Sequence, residues 1–272
     1  MGVKTNRDDW VYNFSINKIN HNVDSMINTY NSELNRLKEK TSSEKIEDWV
    51  IRDKSKIKWT SDLLNELSKK IRHQKQESCF EIGLYRPFDK EWIYSNKSWN
   101  WSRHLIPKYT PNKNSSNLII GLTGVGETKG FSCLITDKSP NLHFIAGSQC
   151  FPMYFYEENE DTDLFNQEKS NVENRNYTRK DAVSNEGLKH FQDAYPTETF
   201  SKEDIFYYVY GLLHSEDYRS RYADNLTKEL PRIPCVKKAE DFWTFSKAGR
   251  DLAHWHLNYE TGEPYKAKLD LG

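Results

Sequence analysis

One stretch decides how this chain is expected to fold: Tyr85-Arg86-Pro87-Phe88-Asp89-Lys90-Glu91-Trp92-Ile93-Tyr94. Aromatic and charged residues lie on both sides of a proline, a pattern that predicts a strand, a turn and a second strand. Short apolar runs separated by turn-forming residues continue to about residue 156. We expect these runs to form a mostly antiparallel sheet. The candidate strands are Phe80–Leu84, Glu91–Tyr94, Leu118–Leu122, Phe131–Thr136, Leu142–Ala146 and Met153–Tyr156.

Helical patterns precede this strand region. The alternation of Trp10, Tyr12 and Phe14 first predicts a short, half-buried strand. Apolar residues three and four apart then mark the inner face of a first helix, and Ser61 is the candidate N-cap of a second. The two apolar faces comprise Val23, Met26, Ile27, Tyr30, Leu34 and Leu37, and then Leu63, Leu64, Leu67 and Ile71.

Helices return after a polar stretch at residues 157–182. Ser201 and Asp204 have the spacing of a capping box, and Ser215 can cap the following helix. This order predicts an α+β fold with N-terminal helices, a central mostly antiparallel sheet and a C-terminal helical bundle. The expected segments are a lead-in at 1–75, a mostly β recognition core at 76–156, a polar loop at 157–182 and helices at 183–272, the last packed with the core as one domain.

The composition limits the possible functions. The chain has 272 residues, with 39 Lys and Arg against 40 Asp and Glu, and a formal net charge of -1. A globally basic nucleic-acid-binding protein is therefore excluded, whereas a locally basic face is not. We expect no membrane-spanning segment, because the apolar runs are too short, and no signal peptide, because charged residues lie near Lys4. We expect a cytoplasmic protein whose four scattered cysteines are reduced thiols.

No catalytic motif stands out. The segment Gly121–Gly130 resembles a phosphate-binding loop, but Glu127 follows Gly126 where such a loop needs lysine, so we interpret the segment as a hairpin turn that carries Lys129. His254 and His256 are two residues apart and therefore lie on different faces of a helix, which argues against a shared metal. Two alternatives stay open. One is a hydrolase whose site uses His143 or His256 with a carboxylate, and the other is a protein-interaction scaffold.

Polar and aromatic residues crowd the connections between the predicted strands. One connection carries Lys90 and the run from Asn96 to His104, and the next carries Lys108, Asn112, Lys113 and Asn114. Arginine, lysine, asparagine and serine are side chains that contact base edges, and the two cations also hold phosphates. An ordinary solvated loop has a similar composition, so this pattern alone decides nothing.

Five blocks of the sequence, in order, resemble the C-terminal target-recognition (specificity) domain of the Type ISP restriction–modification enzymes. These blocks are Gly2–Trp10, Tyr85–Tyr94, Phe151–Tyr156, Tyr210–Pro234 and His256–Glu260. Such enzymes join a nuclease, a helicase-like motor, an N6-adenine methyltransferase and this domain in one polypeptide. The methyltransferase motifs are absent from the present sequence, which is therefore expected to be a fragment or a stand-alone remnant without catalytic capacity.

The resemblance implies a domain that recognises double-stranded DNA and positions an adenine for an upstream methyltransferase domain. S-adenosylmethionine, ATP and Mg²⁺ are expected in other domains of the full enzyme, and no cofactor is expected in this chain. The shared blocks are expected to form the fold, with Arg86 in a structural ion pair. The residues expected in the core are Tyr85, Phe88, Trp92, Tyr94 and Phe151–Tyr156. The expected partners are double-stranded DNA and the methyltransferase and helicase-like domains of the same polypeptide, with no membrane.

Side-chain chemistry then selects the candidate DNA-binding residues. The candidate base readers are Asn96, Lys97, Arg103, His104, Lys129, Ser148 and Gln149. Arginine or lysine can pair with guanine and glutamine with adenine. Lys4 and Arg7 are instead expected to contact phosphates or the methyltransferase domain.

Overall fold

A computed structural model describes residues 1–39, 45–112, 115–159, 177–264 and 266. The chain divides into two compact units, each built from three separate segments. Unit 1 comprises Met1–Ser116, Lys138–Phe144 and Tyr156–Thr178, and unit 2 comprises Asn117–Asp137, Ile145–Phe155 and Arg179–Gly272.

Helices at both ends of the described chain enclose a region of short strands, which confirms the α+β class. The helices are α1 (Asp8–Val11), α2 (Ile16–Lys38), α3 (Ile46–Trp49), α4 (Ser61–Ser68), α5 (Ile106–Tyr109), α6 (Asn185–Ala194), α7 (Lys202–His214), α8 (Glu216–Arg221), α9 (Ala223–Leu226) and α10 (Ala239–Leu257). The strands are β1 (Tyr12–Asn13), β2 (Phe80–Arg86), β3 (Asp89–Tyr94), β4 (Ile119–Leu122), β5 (Cys133–Thr136), β6 (Ser139–Pro140), β7 (Gln149–Pro152), β8 (Tyr154–Glu158) and β9 (Tyr177–Asp181).

These strands lie in three sheets rather than in one. The first sheet has the order β1-β3-β2-β6, the second has the order β5-β4-β7, and β8 pairs with β9. Pairing is antiparallel within the second sheet and between β1, β3 and β2, whereas β6 runs parallel to β2. The predicted antiparallel character is thus confirmed for most pairs.

In unit 1, the stretch Tyr85–Tyr94 forms the predicted hairpin of β2 and β3. Arg86 pairs with Asp89 across a turn in which Phe88 adopts a left-handed conformation, with φ of 58°. The Phe88 side chain is 45% exposed, so the prediction that it is a core residue is wrong. The same prediction is wrong for Phe151 of β7, whose side chain is 40% exposed. Arg86 lies on the Tyr85 ring and 3.9 Å from the Asp8 carboxylate, as expected for a structural residue.

Helix α2 has the apolar face that the sequence predicts. Ile19, Val23, Met26, Tyr30 and Leu34 are buried on it. Ser15 caps this helix by accepting a hydrogen bond from the Lys18 amide. Because β3 and α2 pack together within unit 1, the strand that leads into the next loop has a rigid support.

In unit 2, helices cover the sheet of β4, β5 and β7. One apolar cluster joins Ile120, Ile135 and Met153 from the strand segments to side chains such as Phe206 of α7 and Phe242 of α10. The Ser201–Asp204 capping box and the Ser215 cap are both present, as predicted. The sequence also predicts that the helix capped by Ser215 ends near Pro231, but α8 ends at Arg221.

Three local predictions are wrong because side chains redirect the backbone. The strand predicted at Trp10–Phe14 is present only at Tyr12–Asn13, as β1. Trp10 belongs to α1 instead, since the Thr5 hydroxyl accepts the Arg7 amide and contacts the Asp8 carboxylate. Thr60, not Ser61, caps α4. The predicted strand Leu142–Ala146 is a series of turns, in which Asn141 Oδ1 accepts the His143 amide.

Ile71 does not extend the apolar face of α4. Lys70 adopts φ of 58°, and its amide and that of Ile71 donate to Leu67 and Glu66 in a C-terminal turn. Ile71 is consequently 42% exposed.

Part of the predicted polar loop is strand. Glu158 lies in β8 and Tyr177–Asp181 form β9. Residues 160–176 lie outside the described residues, as do Lys113 and Asn114 of the earlier candidate loop. Cys79, Cys133, Cys150 and Cys235 are free thiols. Among the helices of the described residues, none is both long enough and apolar enough to cross a membrane.

Candidate nucleic-acid interface

The segment that follows β3 in unit 1, Ser95–Leu105, is here called loop 95–105. Its backbone is fixed at both ends. The Ser95 amide donates to the Cys79 carbonyl at 2.8 Å, and Ser102 forms an antiparallel bridge with Lys4 through two hydrogen bonds of 2.8 and 2.9 Å. The middle of the loop is held by Trp99, which is 1% exposed. This loop is therefore preorganised rather than loosely solvated.

Side-chain contacts add further anchors. Asn96 donates to Gln76 at 2.9 Å and accepts the Ser98 amide at 3.0 Å. The Ser98 hydroxyl in turn donates to Glu66 at 3.0 Å. Asn96, one of the predicted base readers, is therefore already engaged in holding the loop.

The loop nevertheless exposes several cationic and polar groups. Lys97 and His104 are exposed, and Arg103 is half-buried. His104 adopts a left-handed conformation, with φ of 46°, and its amide donates to the Ser102 hydroxyl. Partial burial lowers the pKa of His104, and the positive charge of Lys4 acts in the same direction. His104 is thus neutral at pH 7 and can both donate and accept hydrogen bonds.

Charge is strongly asymmetric in this part of the sequence. The stretch Ser95–Ser116 contains three lysines, one arginine and one histidine, and it contains no Asp or Glu. Lys108 on α5 extends the exposed cationic groups beyond the loop. This segment therefore has a local excess of positive charge, although the whole chain has a net charge of -1.

Arg103 lines a cavity of about 160 Å³ in unit 1. Its guanidinium donates to the Ser95 carbonyl at 3.2 Å, which fixes the direction of the side chain. Glu81 lines the same cavity, and burial raises the pKa of its carboxyl against the opposing effects of Ser139, Ser95 and the Arg103 charge. Arg103 is thus positioned by its neighbours and retains donor groups for a ligand.

The two residues predicted to contact phosphates differ in accessibility. Lys4 is half-buried, with its ammonium 5.9 Å from the centre of the Trp101 ring. Arg7 is 3% exposed, donates to the Thr60 hydroxyl at 2.9 Å and lies over the Trp99 ring. Burial lowers the pKa of Arg7 to about 10. Arg7 therefore acts within unit 1 and is not accessible to a phosphate.

Unit 2 presents a second polar surface where β4 leads into β5. The segment Thr123–Ser132 connects these antiparallel strands, which confirms the predicted hairpin, and Lys129 is exposed on it. The Gly124 amide donates to the Ala146 carbonyl at 2.8 Å, which joins this hairpin to the segment leading into β7. Gly147 has φ of 52°, and a Cβ atom there would overlap the Glu127 carboxylate.

Gln149 and Ser148 follow Gly147 but differ in exposure. Gln149 is half-buried and pairs with Leu122 of β4. Ser148 is fully buried, with its hydroxyl 4.0 Å from the Cys150 sulfur. The Lys129 and Gln149 side chains are therefore accessible from solvent, whereas the Ser148 side chain is not.

Cys133 and His214 form a thiol–imidazole pair in unit 2, which is a candidate site if the chain is an enzyme. Cys133 Sγ lies 3.2 Å from His214 Nε2. Burial raises the pKa of Cys133 to about 11 and lowers the pKa of His214 to about 4. An activated cysteine needs the opposite shifts, since the thiolate is the nucleophile. These pKa values favour a neutral, structural pair.

The hydrolase alternative named two other histidines, His256 and His143, which lie in different environments. His256 Nδ1 lies 2.6 Å from the Tyr210 hydroxyl, and His143 is exposed in unit 1. Within the residues that the structure describes, no three His, Cys, Asp or Glu side chains are arranged to hold a metal.

Comparison with solved structures gives matches along almost the whole chain. The cryo-EM structure of the DrdV–DNA complex matches with a TM-score of 0.83 and 30% identity, over 97% of this chain and 24% of that chain. A nuclease-deletion mutant of the Type ISP restriction–modification enzyme LlaGI, in complex with a DNA substrate mimic, matches with a TM-score of 0.77 and 33% identity, over 97% of this chain and 18% of that chain. The ATP-dependent Type ISP restriction–modification enzyme LlaBIII bound to DNA matches with a TM-score of 0.79 and 32% identity, over 97% of this chain and 16% of that chain.

The present chain thus spans less than a quarter of the length of each of these three proteins. No curated protein sequence matches it. The family model for the Type ISP C-terminal specificity domain matches residues 1–270. The chain belongs to this family of specificity domains. The resemblance expected from the five sequence blocks is thereby confirmed.

Sequence reasoning did not select Trp101, Leu105 and Lys108 as candidate site residues. Trp101 is 45% exposed and Leu105 is 48% exposed on the cationic loop. The absence of acidic residues from Ser95 to Ser116 is a sequence signal that could have drawn attention to the whole segment. The exposure of Trp101 beside the buried Trp99 could not have been predicted, because it depends on the bridge between Lys4 and Ser102.

Proposed function

We propose that the chain recognises a double-stranded DNA site for a Type ISP restriction–modification enzyme. In this proposal it positions the site so that an adenine reaches the methyltransferase domain of the same polypeptide. The observation that carries the proposal is the family match over residues 1–270, together with the DNA present in the three structures described above.

The cationic surface of loop 95–105 gives physical support. Exposed Lys97 and the oriented Arg103 offer hydrogen-bond donors. Such donors bind phosphate oxygens and the acceptor atoms on the edge of guanine. On unit 2, Lys129 and Gln149 offer similar groups from adjoining segments. We retain these four residues, with His104 and Lys4, as candidate DNA contacts. Arg7, Ser148 and Asn96 are assigned to holding the fold.

We further propose that the chain supplies recognition and no catalytic group. S-adenosylmethionine, ATP and Mg²⁺ then belong to the other domains of the full enzyme, and the chain itself needs no cofactor. The helicase-like and methyltransferase domains are its expected partners, and the cytoplasm, where the DNA is accessible, is its expected location.

Binding to duplex DNA at a series of salt concentrations tests this function. Fluorescence anisotropy of a labelled mixed-sequence duplex should show an affinity that falls steeply as salt rises, because bound cations displace counterions from DNA. Replacing Lys97 and Arg103 together with alanine should reduce the slope of log affinity against log salt by about 1–2.

Lys189→Ala is the matched control, because Lys189 is an exposed lysine on α6 of unit 2. It should leave both the affinity and the salt slope unchanged. The same titration is repeated with the methyltransferase domain attached. Failure of both proteins to bind duplex DNA would reject the proposed function.

A further inference from the structure

Loop 95–105 exposes apolar side chains among its cations. Trp101 is 45% exposed and Leu105 is 48% exposed, whereas Trp99, two residues before Trp101, is 1% exposed. Exposed single apolar residues are common on protein surfaces. The unusual feature here is a large exposed aromatic side chain on a loop whose backbone is anchored and whose sequence is rich in cationic residues.

Backbone contacts fix the place of Trp101. Its amide donates to the Thr5 carbonyl at 3.3 Å, and the next residue, Ser102, forms the bridge with Lys4. The Lys4 ammonium lies 5.9 Å from the centre of the indole ring. Trp101 therefore keeps its position without being buried, so little conformational entropy is lost when a ligand covers it.

The charges around Trp101 indicate the kind of ligand. Lys97 and Arg103 are its cationic neighbours in the loop sequence, and the stretch Ser95–Ser116 has no acidic residue. A protein partner would have to bury these cations, whereas nucleic acid offers phosphates for them and base faces for the indole ring. Apolar side chains that separate base steps are an established means of unstacking a duplex.

We propose that Trp101 stacks on a base of the bound DNA that has been unstacked from its neighbour, with Leu105 as an adjoining apolar contact. This inference rests on the proposed function of DNA recognition. It assigns Trp101 the role of stabilising a locally opened duplex, and the surrounding cations hold the phosphates on either side. The ligand is thus duplex DNA with an exposed base face rather than an undistorted helix.

The test compares variants on two labelled duplexes of the same mixed sequence, one fully paired and one with a single unpaired base. Wild-type protein should prefer the duplex with the unpaired base, because part of the cost of unstacking is already met. Trp101→Ala should weaken binding to that duplex by about tenfold, the scale expected for loss of one base–aromatic stack. Trp101→Phe should retain most of the affinity, because its ring can still stack.

Trp255→Ala is the matched control, since Trp255 is a 62% exposed tryptophan on α10 of unit 2. It should bind like wild type. Thermal unfolding is measured for each variant, so that the comparison uses folded protein. A wild type that binds neither duplex would reject the proposed function itself. A wild type that binds, with Trp101→Ala binding equally well, would overturn the stacking role and leave this surface to a protein partner.

Discussion

The imidazole of His214 lies half-buried in unit 2 between the Cys133 thiol and the Arg219 guanidinium. Arg219 Nη2 is 3.4 Å from His214 Nδ1, and Cys133 Sγ is 3.2 Å from His214 Nε2. Burial first, and then the charge of Arg219, lower the pKa of His214 from 6.5 to about 4. Protonating this imidazole in the folded protein therefore places two positive charges next to each other.

We expect unit 2 to lose stability as the pH falls from 6.5 towards 4. In this range the unfolded chain takes up a proton on His214 and the folded chain does not, so the unfolded state is favoured. Because the site is partly exposed, the loss from this residue should be about 1–2 kcal/mol. Urea denaturation at a series of pH values measures how steeply the free energy of unfolding depends on pH.

Replacing His214 with glutamine should flatten this part of the pH profile. The control is His254→Gln, because His254 is exposed on α10. Its profile should follow that of wild type. An unchanged slope in His214→Gln would show that other groups, such as His256, carry the pH dependence.

At the scale of elements, α7 and α10 approach most closely at two glycines. A Cβ atom on Gly211 would overlap the Phe245 carbonyl oxygen, and one on Gly249 would overlap the Tyr207 carbonyl oxygen. The same helix pair is joined by Arg250, which contacts Glu203 and Asp204 at 2.9 and 2.7 Å. Backbone-to-backbone contact of this kind leaves no flexible side chain that could move aside.

Gly249→Ala should therefore destabilise the protein although alanine is the better helix former. We expect a loss of about 2–3 kcal/mol in the free energy of unfolding, because the helices must separate to admit the methyl group. Chemical denaturation monitored by circular dichroism measures it. Gly130→Ala is the control, since a Cβ atom there has no neighbour within 4 Å. Equal stability of the two variants would show that the helix crossing adjusts without cost.

The sequence predicts those elements whose signals are local. The Ser201–Asp204 capping box, the Ser215 cap and the apolar face of α2 depend on neighbouring residues alone, and all three are present. The composition of Leu142–Ala146 predicts a strand. The backbone turns there instead, because the Asn141 side chain accepts a hydrogen bond from the His143 amide.

The candidate site also combines features that local sequence predicts with features that depend on the folded chain. The cations of loop 95–105 can be read from the sequence, whereas the burial of Arg7 and Ser148 depends on contacts made by the folded chain. Arg7 contacts Thr60 and Trp99, which are far from it in the sequence. Candidate residues chosen by side-chain chemistry therefore include residues that hold the fold.

At the scale of the whole molecule, the chain passes repeatedly between its two units. The strand segments of unit 2 come from residues 117–137 and 145–155, whereas its helices come from residues 179–272. Their apolar residues form one cluster. The strands of the second sheet therefore depend on a part of the chain that is synthesised later.

A fragment that ends at residue 182 should fail to form unit 2. Without α6 to α10, Ile120, Leu122 and Ile135 lose the apolar side chains that cover them. We expect the fragment to aggregate or to bind a hydrophobic dye. The second sheet should show no cooperative unfolding transition. Co-expression with residues 183–272 is the control and should restore the soluble complex. A soluble, dye-free fragment with cooperative unfolding would contradict this dependence.

The anchoring of loop 95–105 has a consequence for protein engineering. Trp99, Ser98 and the bridge at Ser102 face inward, and the exposed positions Lys97, Trp101 and His104 alternate with them. Under the DNA-recognition function proposed above, we expect that the outward side chains can be replaced while the inward ones preserve the shape of the loop. A designer seeking new target sites would randomise the first set and leave the second untouched.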